Sequence, residues 1–384
     1  MKSRLRILLG GMVAGIPGQG GLTWVVLQWL LGLQRLGHEV HFLELLTTPD
    51  LHSGATPLSG SDNATYFVDV VRQFGLEDDA SLLDTNSGQS VGKTLKELEE
   101  FSSECDLLLN LSGLLNDERF FSQVPVRAYI DLDPAFTQLW NCEQGLDVGL
   151  SGHNRFVTIG LNLGTPNCAI PTLGKSWIKT LPPLVLANWP VAKRRPSLGL
   201  TTVANWRGYG SIDYRGIFYG QKAHSMRPFF DAPSRTGASF DLALSIHPGE
   251  KNDLAQIWKM GWRLLDPLAI AATPWEFQDF IHKSRAEFGI AKSGYVVSNI
   301  GWFSDRSICY LASGRPVVAQ ETGFSAHLPT GEGLFAFTSM DELSDRIEQM
   351  DRDYEMHCRA ARGVAESCFD SDRVLVELLR KLGF

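Results

Sequence analysis

Cysteine is scarce in this chain, and its six cysteines include no C-x-x-C pair and no zinc-type spacing. A disulfide-stapled scaffold is thereby excluded, and Cys105, Cys142, Cys168, Cys309, Cys358 and Cys368 read as reduced, mostly structural thiols of a cytoplasmic protein. The sequence also lacks an uninterrupted apolar run of about 20 residues, so no stretch is a transmembrane segment. Basic residues are outnumbered, 35 Lys and Arg against 43 Asp and Glu. The resulting charge of -8 argues against a nucleic-acid polymer as partner, since binding through phosphates wants a basic surface. Repeats, low-complexity tracts and heptads are missing too. Met1 to Gly15 starts basic and turns apolar, but Gly10 and Gly11 interrupt it, and it reads as a first strand rather than a signal peptide.

What is present suits two domains. At 384 residues and 44% hydrophobic, the chain exceeds the roughly 250 to 300 residues at which single cores stop growing. Leu5 to Leu9, a glycine-rich turn, a helical repeat over 22–36 ending at Gly37, and an alternating stretch over 38–44 form an opening βαβ unit of a doubly wound sheet. His38 and His41 stand three apart on that second strand and face opposite sides, which discounts a metal pair. Helices over 66–74 and 93–101 and strands over 106–111 and 127–131 continue the pattern. The stretch 181–196, LPPLVLANWPVAKRRP, is proline-rich and reads as a linker, with Lys193-Arg194-Arg195 a solvated charge cluster. Strands over 200–206, 240–246 and 262–267 and helices over 252–260 and 274–284 build a second unit. The divisions are therefore 1–180, the linker 181–196, 197–370, and a terminal helix in 371–384.

The second unit is organised around Gly301 to Gly323, GWFSDRSICYLASGRPVVAQETG. Ser304 can cap a helix, Gly314 can end it, and Arg315 to Ala319 then runs inward as a buried strand. Free amides and a positive dipole end at Ser304, Asp305, Arg306 and Ser307 suit a phosphate or diphosphate, with the Arg306 guanidinium adding donors. The same cap also serves simply to satisfy orphan amides. Glu321 and Thr322 follow the strand at the ligand edge of the sheet, where they touch a ligand or form a tight turn. In the first unit, Asp131 and Asp133 end a strand, where open α/β sheets bind ligands. Either is a candidate general base, and Asp133-Pro134 is equally a candidate helix start. His153, in a loop, is a third candidate base or a structural histidine.

Ala312-x-Gly314-Arg315-Pro316-Val317-Val318 and its Thr-Gly loop resemble the donor-binding half of the two-domain GT-B glycosyltransferases. More narrowly, Ala286-Glu287-Phe288-x-x-Ala291-Lys292-x-Gly294-Tyr295-Val296, Gly301-Trp302-Phe303-Ser304-Asp305-Arg306-Ser307 and Pro329-x-Gly331-Glu332-Gly333-Leu334 resemble a bacterial group of glycosyltransferases. D-x-D-P-x-x-x-Q from Asp131, His153-x-x-Phe156, Asn162-x-Gly164 and Ile170-Pro171-x-x-Gly174-x-x-Trp177 extend the likeness. It departs from retaining GT-B enzymes in one respect: Gly301 and Cys309 stand where two glutamates would bind the donor.

The resemblance implies two Rossmann-like domains facing a cleft, the first for acceptor and the second for a nucleotide diphosphate sugar such as UDP-glucose. It implies a cleft lined by Gly18 and Gly20 and a basic pair, Arg207 and Lys222, on the diphosphate. Leu265 and Asp266 would lie by the base, and Asp133, His153 or Asp131 would deprotonate the acceptor, with inversion. No tightly bound cofactor or metal is expected, the sugar nucleotide being a co-substrate. The acceptor is a small molecule, and Trp24, Trp140 and Trp177 suit an aromatic or nucleoside-like one or merely fill cores. The terminal helix would cross back to the first domain. A nucleotide-sugar epimerase and a non-catalytic nucleotide-sugar-binding protein are the competing readings.

Overall fold

The computed structural model describes residues 4–52 and 57–384, so the basic start at 1–3 lies outside the described residues. The chain folds into two Rossmann-like α/β units. The first carries an eight-stranded sheet in the spatial order Ser90–Val91, Ala80–Asp84, Glu39–Leu46, Arg6–Gly10, Leu107–Leu111, Val126–Asp131, Arg155–Thr158, Trp177–Lys179. All neighbours are parallel except the short Ser90–Val91 edge, which runs antiparallel. Leu107–Leu111 is buried at every position, as a strand covered by helices on both faces must be, which explains its near-continuous apolar run; the one polar residue, Asn110, is satisfied by the backbone of Leu115.

The second unit has six parallel strands in the order Arg263–Leu265, Phe240–Ser245, Leu200–Asn205, Ala286–Gly289, Val317–Gln320, Leu334–Phe337. Helix starts follow their caps. Ser61 accepts from the Ala64 amide ahead of Asp62–Phe74, and Thr94 with Glu97 makes a capping box ahead of Leu95–Ser103. The stretch after Trp206, read as a glycine- and tyrosine-rich loop, contains a hairpin of Ile212–Tyr214 and Ile217–Tyr219. Its two-residue turn, Arg215 and Gly216, has φ of 51° and 77°, the positive values that a type I′ turn requires.

The two units are closed on each other. Helix Gly20–Arg35 of the first meets the 271–274 segment of the second: the Gly20 amide donates to the Ala271 carbonyl at 3.1 Å, and Trp24 Nε1 donates to the Pro274 carbonyl at 2.7 Å. A Cβ at Gly20 would stand 2.2 Å from the Thr273 carbonyl oxygen, so only glycine permits this approach. Apolar residues of both units share one cluster, with Phe136, Leu139 and Ile170 packed among Tyr214, Tyr295 and Ile300. Helix Ser371–Leu382 packs against helix Gly20–Arg35, with Leu375 and Ser371 over Gly32 and Arg35 paired to Asp372 at 3.2 Å. Among the described residues, no helix is long and apolar enough to cross a membrane.

Candidate active site

Between the units, at the carboxyl ends of both sheets, lies a cavity of about 830 Å³. The first unit lines it with the loop and helix start around Gly18 to Leu22 and with Asp133; the second contributes Lys222, Asp266, Lys292, Tyr295, Trp302 and the start of helix Asp305–Ala312.

Lys222 is 8% exposed, and its ammonium donates to the carbonyl of Ile290. No carboxylate pairs with it among the described residues. Burial, with Arg306 and Lys292 adding repulsion, holds its pKa well below the ordinary lysine value, while Glu287 opposes this. Glu287 is already committed, accepting from Arg306 Nε at 2.6 Å; Arg306 Nη1 is taken by the Val203 carbonyl at 3.0 Å. Three cations therefore converge on one wall of the cavity, and the buried Lys222 has no counter-charge. Beside them Ser304 Oγ caps helix Asp305–Ala312 by accepting from the Arg306 amide at 3.2 Å, turning the positive end of the helix to the cavity. Asp305, the first helical residue, is pushed up to about 6 by burial.

Asp133 meets this wall from the first unit. Its Oδ2 accepts from Lys292 Nζ at 2.9 Å and Tyr209 Oη at 2.5 Å, and its Oδ1 accepts from Tyr295 Oη, all three from the second unit. Lys292 also sits 4.0 Å from the centroid of the Tyr209 ring. The carboxylate is about one-quarter exposed, so it reaches the cavity while held in a cross-domain clasp. The expectation that it caps a helix fails: helix Phe136–Gln144 begins after Ala135, whose φ is 78°, and the Ala135 amide is satisfied by Gln138 Oε1 at 2.7 Å. That strained turn aims Asp133 outward.

Asp131 is not available to a substrate. Fully buried, it accepts from Thr137 Oγ1, Gln138 Nε2 and Thr158 Oγ1 at 2.8 to 2.9 Å and braces the turn beneath Asp133. Burial pushes its carboxyl up to about 6 against those donors. His153 is likewise removed from the cavity: Asn110 and the Ser151 carbonyl hold its ring nitrogens, Phe121 and Tyr129 pack on it, and burial lowers its pKa. Arg207 points away and pairs with Glu250. Glu321 folds back onto the amides of Thr322 and Gly323 at 3.0 and 2.6 Å, while Thr322 Oγ1 donates to the Trp302 carbonyl; both build a turn. Ser307 is buried on the helix behind the cavity, and Leu265 ends its strand just short of the wall that Asp266 joins. Gly18 and Gly20 line the cavity, though Gly20 also serves the interdomain contact. Trp24, Trp140 and Trp177 pack against other rings instead of lining the cavity, the core-filling alternative for them; Trp302, stacked 4.4 Å from Tyr295, lines it.

Lys292, Tyr209 and Tyr295 were not singled out from sequence. Lys292 and Tyr295 did stand inside the Ala291-Lys292-x-Gly294-Tyr295 run, and their three-residue spacing across the start of helix Ser293–Ser298 puts both on Asp133. Among the described residues, no group of three His, Cys, Asp or Glu could hold a metal ion.

No known family model matches the chain, and no curated protein does. Solved structures do. An alpha-glucosyltransferase, crystallised with UDP and a 13-mer DNA, superposes with a TM-score of 0.59 at 12% identity over 100% of both chains. HepE from Anabaena, in complex with UDP and glucose, gives 0.58 at 12% identity over 98% of this chain and 99% of its own. Sucrose-phosphate synthase from Thermosynechococcus elongatus gives 0.55 at 12% identity over 98% and 99%. These are GT-B glycosyltransferases, and at such identity they establish the shared two-domain fold.

Proposed function

We propose that the protein is a glycosyltransferase that moves a hexose from a nucleoside diphosphate sugar, a UDP-sugar, to a hydroxyl of a small-molecule acceptor with inversion. The observation that carries this reading is Lys222, a buried ammonium without a counter-ion on the wall of an interdomain cavity. An isolated buried charge is costly, and an anion in the cavity offsets that cost. A diphosphate beside Lys222, Arg306 and the start of helix Asp305–Ala312 meets both cations and helix amides. The fold shared with glycosyltransferases crystallised with UDP supports the choice of donor. One of those structures contains DNA; the charge of -8 favours a small acceptor here.

In this reading the acceptor oxygen attacks the anomeric carbon from the Asp133 side. Asp133 takes the hydroxyl proton as the bond to the diphosphate oxygen breaks, and the negative charge gathering on the leaving group falls on Lys222 and the helix amides. The test has two stages. Melting is followed with a panel of nucleoside diphosphates and their sugars, and release of nucleoside diphosphate is then followed with acceptors for wild type and Asp133→Asn. A melting shift with one base, and transfer lost in Asp133→Asn while the shift persists, is the expected pattern. Donor binding with no turnover under any acceptor points to a binding protein, product without acceptor points to an epimerase, and no shift with any nucleotide removes the reading altogether.

A further inference from the structure

Where the linker crosses the second unit lies another cavity, of about 340 Å³, which shares no lining residue with the cleft. It sits at the opposite end of helix Asp305–Ala312, beside Gly314. Lys193, Arg194, Arg195, Arg315 and Arg359 line it, against the single carboxylate of Glu355. Its floor is Arg315, 4% exposed. That guanidinium donates through Nη2 to the carbonyls of Arg194 and His282 at 2.8 and 2.6 Å and through Nη1 to Tyr354 Oη at 3.4 Å, and its Nε has no partner. A buried arginine served only by neutral acceptors, with a donor left over, is as unusual as Lys222 in the cleft.

The cations around Arg315 are uncommitted. Lys193, Arg194, Arg195 and Arg359 form no ion pair among the described residues, and neither does Glu355. Arg362, by contrast, is spent on Glu366 and on the carbonyls of Trp189 and Ala312. The negative end of the helix does not repel an anion here, because its last carbonyls are already bonded: Ala312 to Arg362 and Ser313 to the Ala192 amide at 2.9 Å. The linker charges, which the sequence suggested were merely solvated, thus ring a concave site with a buried guanidinium at its base.

We propose that this cavity binds a phosphate-bearing anion, distinct from the donor in the cleft. Its volume lies at the small end of ligand pockets, and guanidinium forks suit phosphate oxygens. The probe is inorganic pyrophosphate, titrated calorimetrically into the full chain carrying Lys222→Met, which weakens the cleft as a competing site. One site is expected to remain. Adding Arg194→Ala, Arg195→Ala and Arg359→Ala, three exposed residues whose loss leaves the melting temperature unchanged, should weaken it about tenfold or more, as lost charge-assisted contacts imply. Flotation with phosphatidylcholine vesicles, with or without phosphatidylglycerol, identifies the source. Recruitment to the anionic vesicles that the triple substitution abolishes assigns a lipid headgroup, and pyrophosphate binding alone assigns a soluble phosphate. Neither binding nor recruitment, or binding of equal strength in the triple variant, overturns the proposal.

Discussion

Replacing Lys222 by methionine separates the cost of the cleft from its use. In the free protein Lys222 is a buried ammonium that only the Ile290 carbonyl serves, so a methionine of similar length removes an uncompensated charge and should leave stability unchanged or raise it. Ligand binding should respond in the opposite direction. A hydrogen bond to a charged group contributes about 1.5 to 3 kcal/mol, so UDP should bind roughly 10- to 100-fold more weakly. At a UDP concentration of 100 wild-type dissociation constants the wild type gains about 2.7 kcal/mol, and the variant about 0.4 to 1.4 kcal/mol. Protons supply a second readout. Burial lowers the Lys222 pKa in the native state, so between that lowered value and the ordinary one the unfolded chain binds more protons, and stability rises with pH through this window. An anionic ligand favours the charged form, so at a pH above the lowered pKa UDP should bind with proton uptake, measured by calorimetry in buffers of different ionisation enthalpy. Equal stabilisation of both proteins by UDP, with no difference in proton uptake, would refute the diphosphate seat.

Arg306→Ala is expected to destabilise even without ligand. It strands Glu287, a carboxylate with no exposed side-chain surface and one oxygen already unpartnered, at a cost of about 3 to 5 kcal/mol; adding Glu287→Gln should recover much of it in urea titrations. Gly20→Ala places a methyl group 2.2 Å from the Thr273 carbonyl and should cost about 1 to 3 kcal/mol by overpacking, with a melting temperature lowered whether or not nucleotide is present. Burial pushes the Asp131 carboxyl up from 3.8 to about 6. Between those values the native state holds a proton that the unfolded state has released, so this group lowers stability as pH rises through the window, by about 3 kcal/mol in all. Unfolding of wild type and Asp131→Asn compared at pH 4 and 7 should show the wild type losing stability relative to the variant as pH rises.

The fold was legible because its strands are nearly continuous apolar runs bounded by turn residues; Leu107–Leu111, with Asn110 its one polar residue, needed no tertiary information. The hairpin at Ile212–Tyr214 escaped notice because Arg215 occupies a positive-φ position usually signalled by Asn or Gly. In the site, Lys222 and Asp133 could be named from position, yet their partners could not. Whether a cation faces a cavity or a neighbouring carboxylate depends on residues distant in sequence: Arg207 met Glu250, and Asp133 met Lys292 from across the cleft. His153 shows the same limit, since the aromatic cage that removes it from the cavity comes from Phe121 and Tyr129.

The Asp133 clasp bears on the order of events in the proposed reaction. The candidate base holds the second unit through Lys292, Tyr209 and Tyr295, and both of its oxygens accept hydrogen bonds. Three of the carboxylate's roughly four lone-pair sites are thereby taken, and departure of one donor would make the base more available to an acceptor hydroxyl. Lys292 is the donor with an alternative: it lines the same cavity as Lys222 and Arg306, and a bound diphosphate offers it a second set of anionic oxygens. Movement of Lys292 from Asp133 to the donor would free the base only when the donor is present, which keeps the acceptor from being deprotonated to no purpose. In the proposed reaction the clasp would couple donor occupancy to the availability of the base, and it would do so because the lysine, the aspartate and the cavity meet across the two domains.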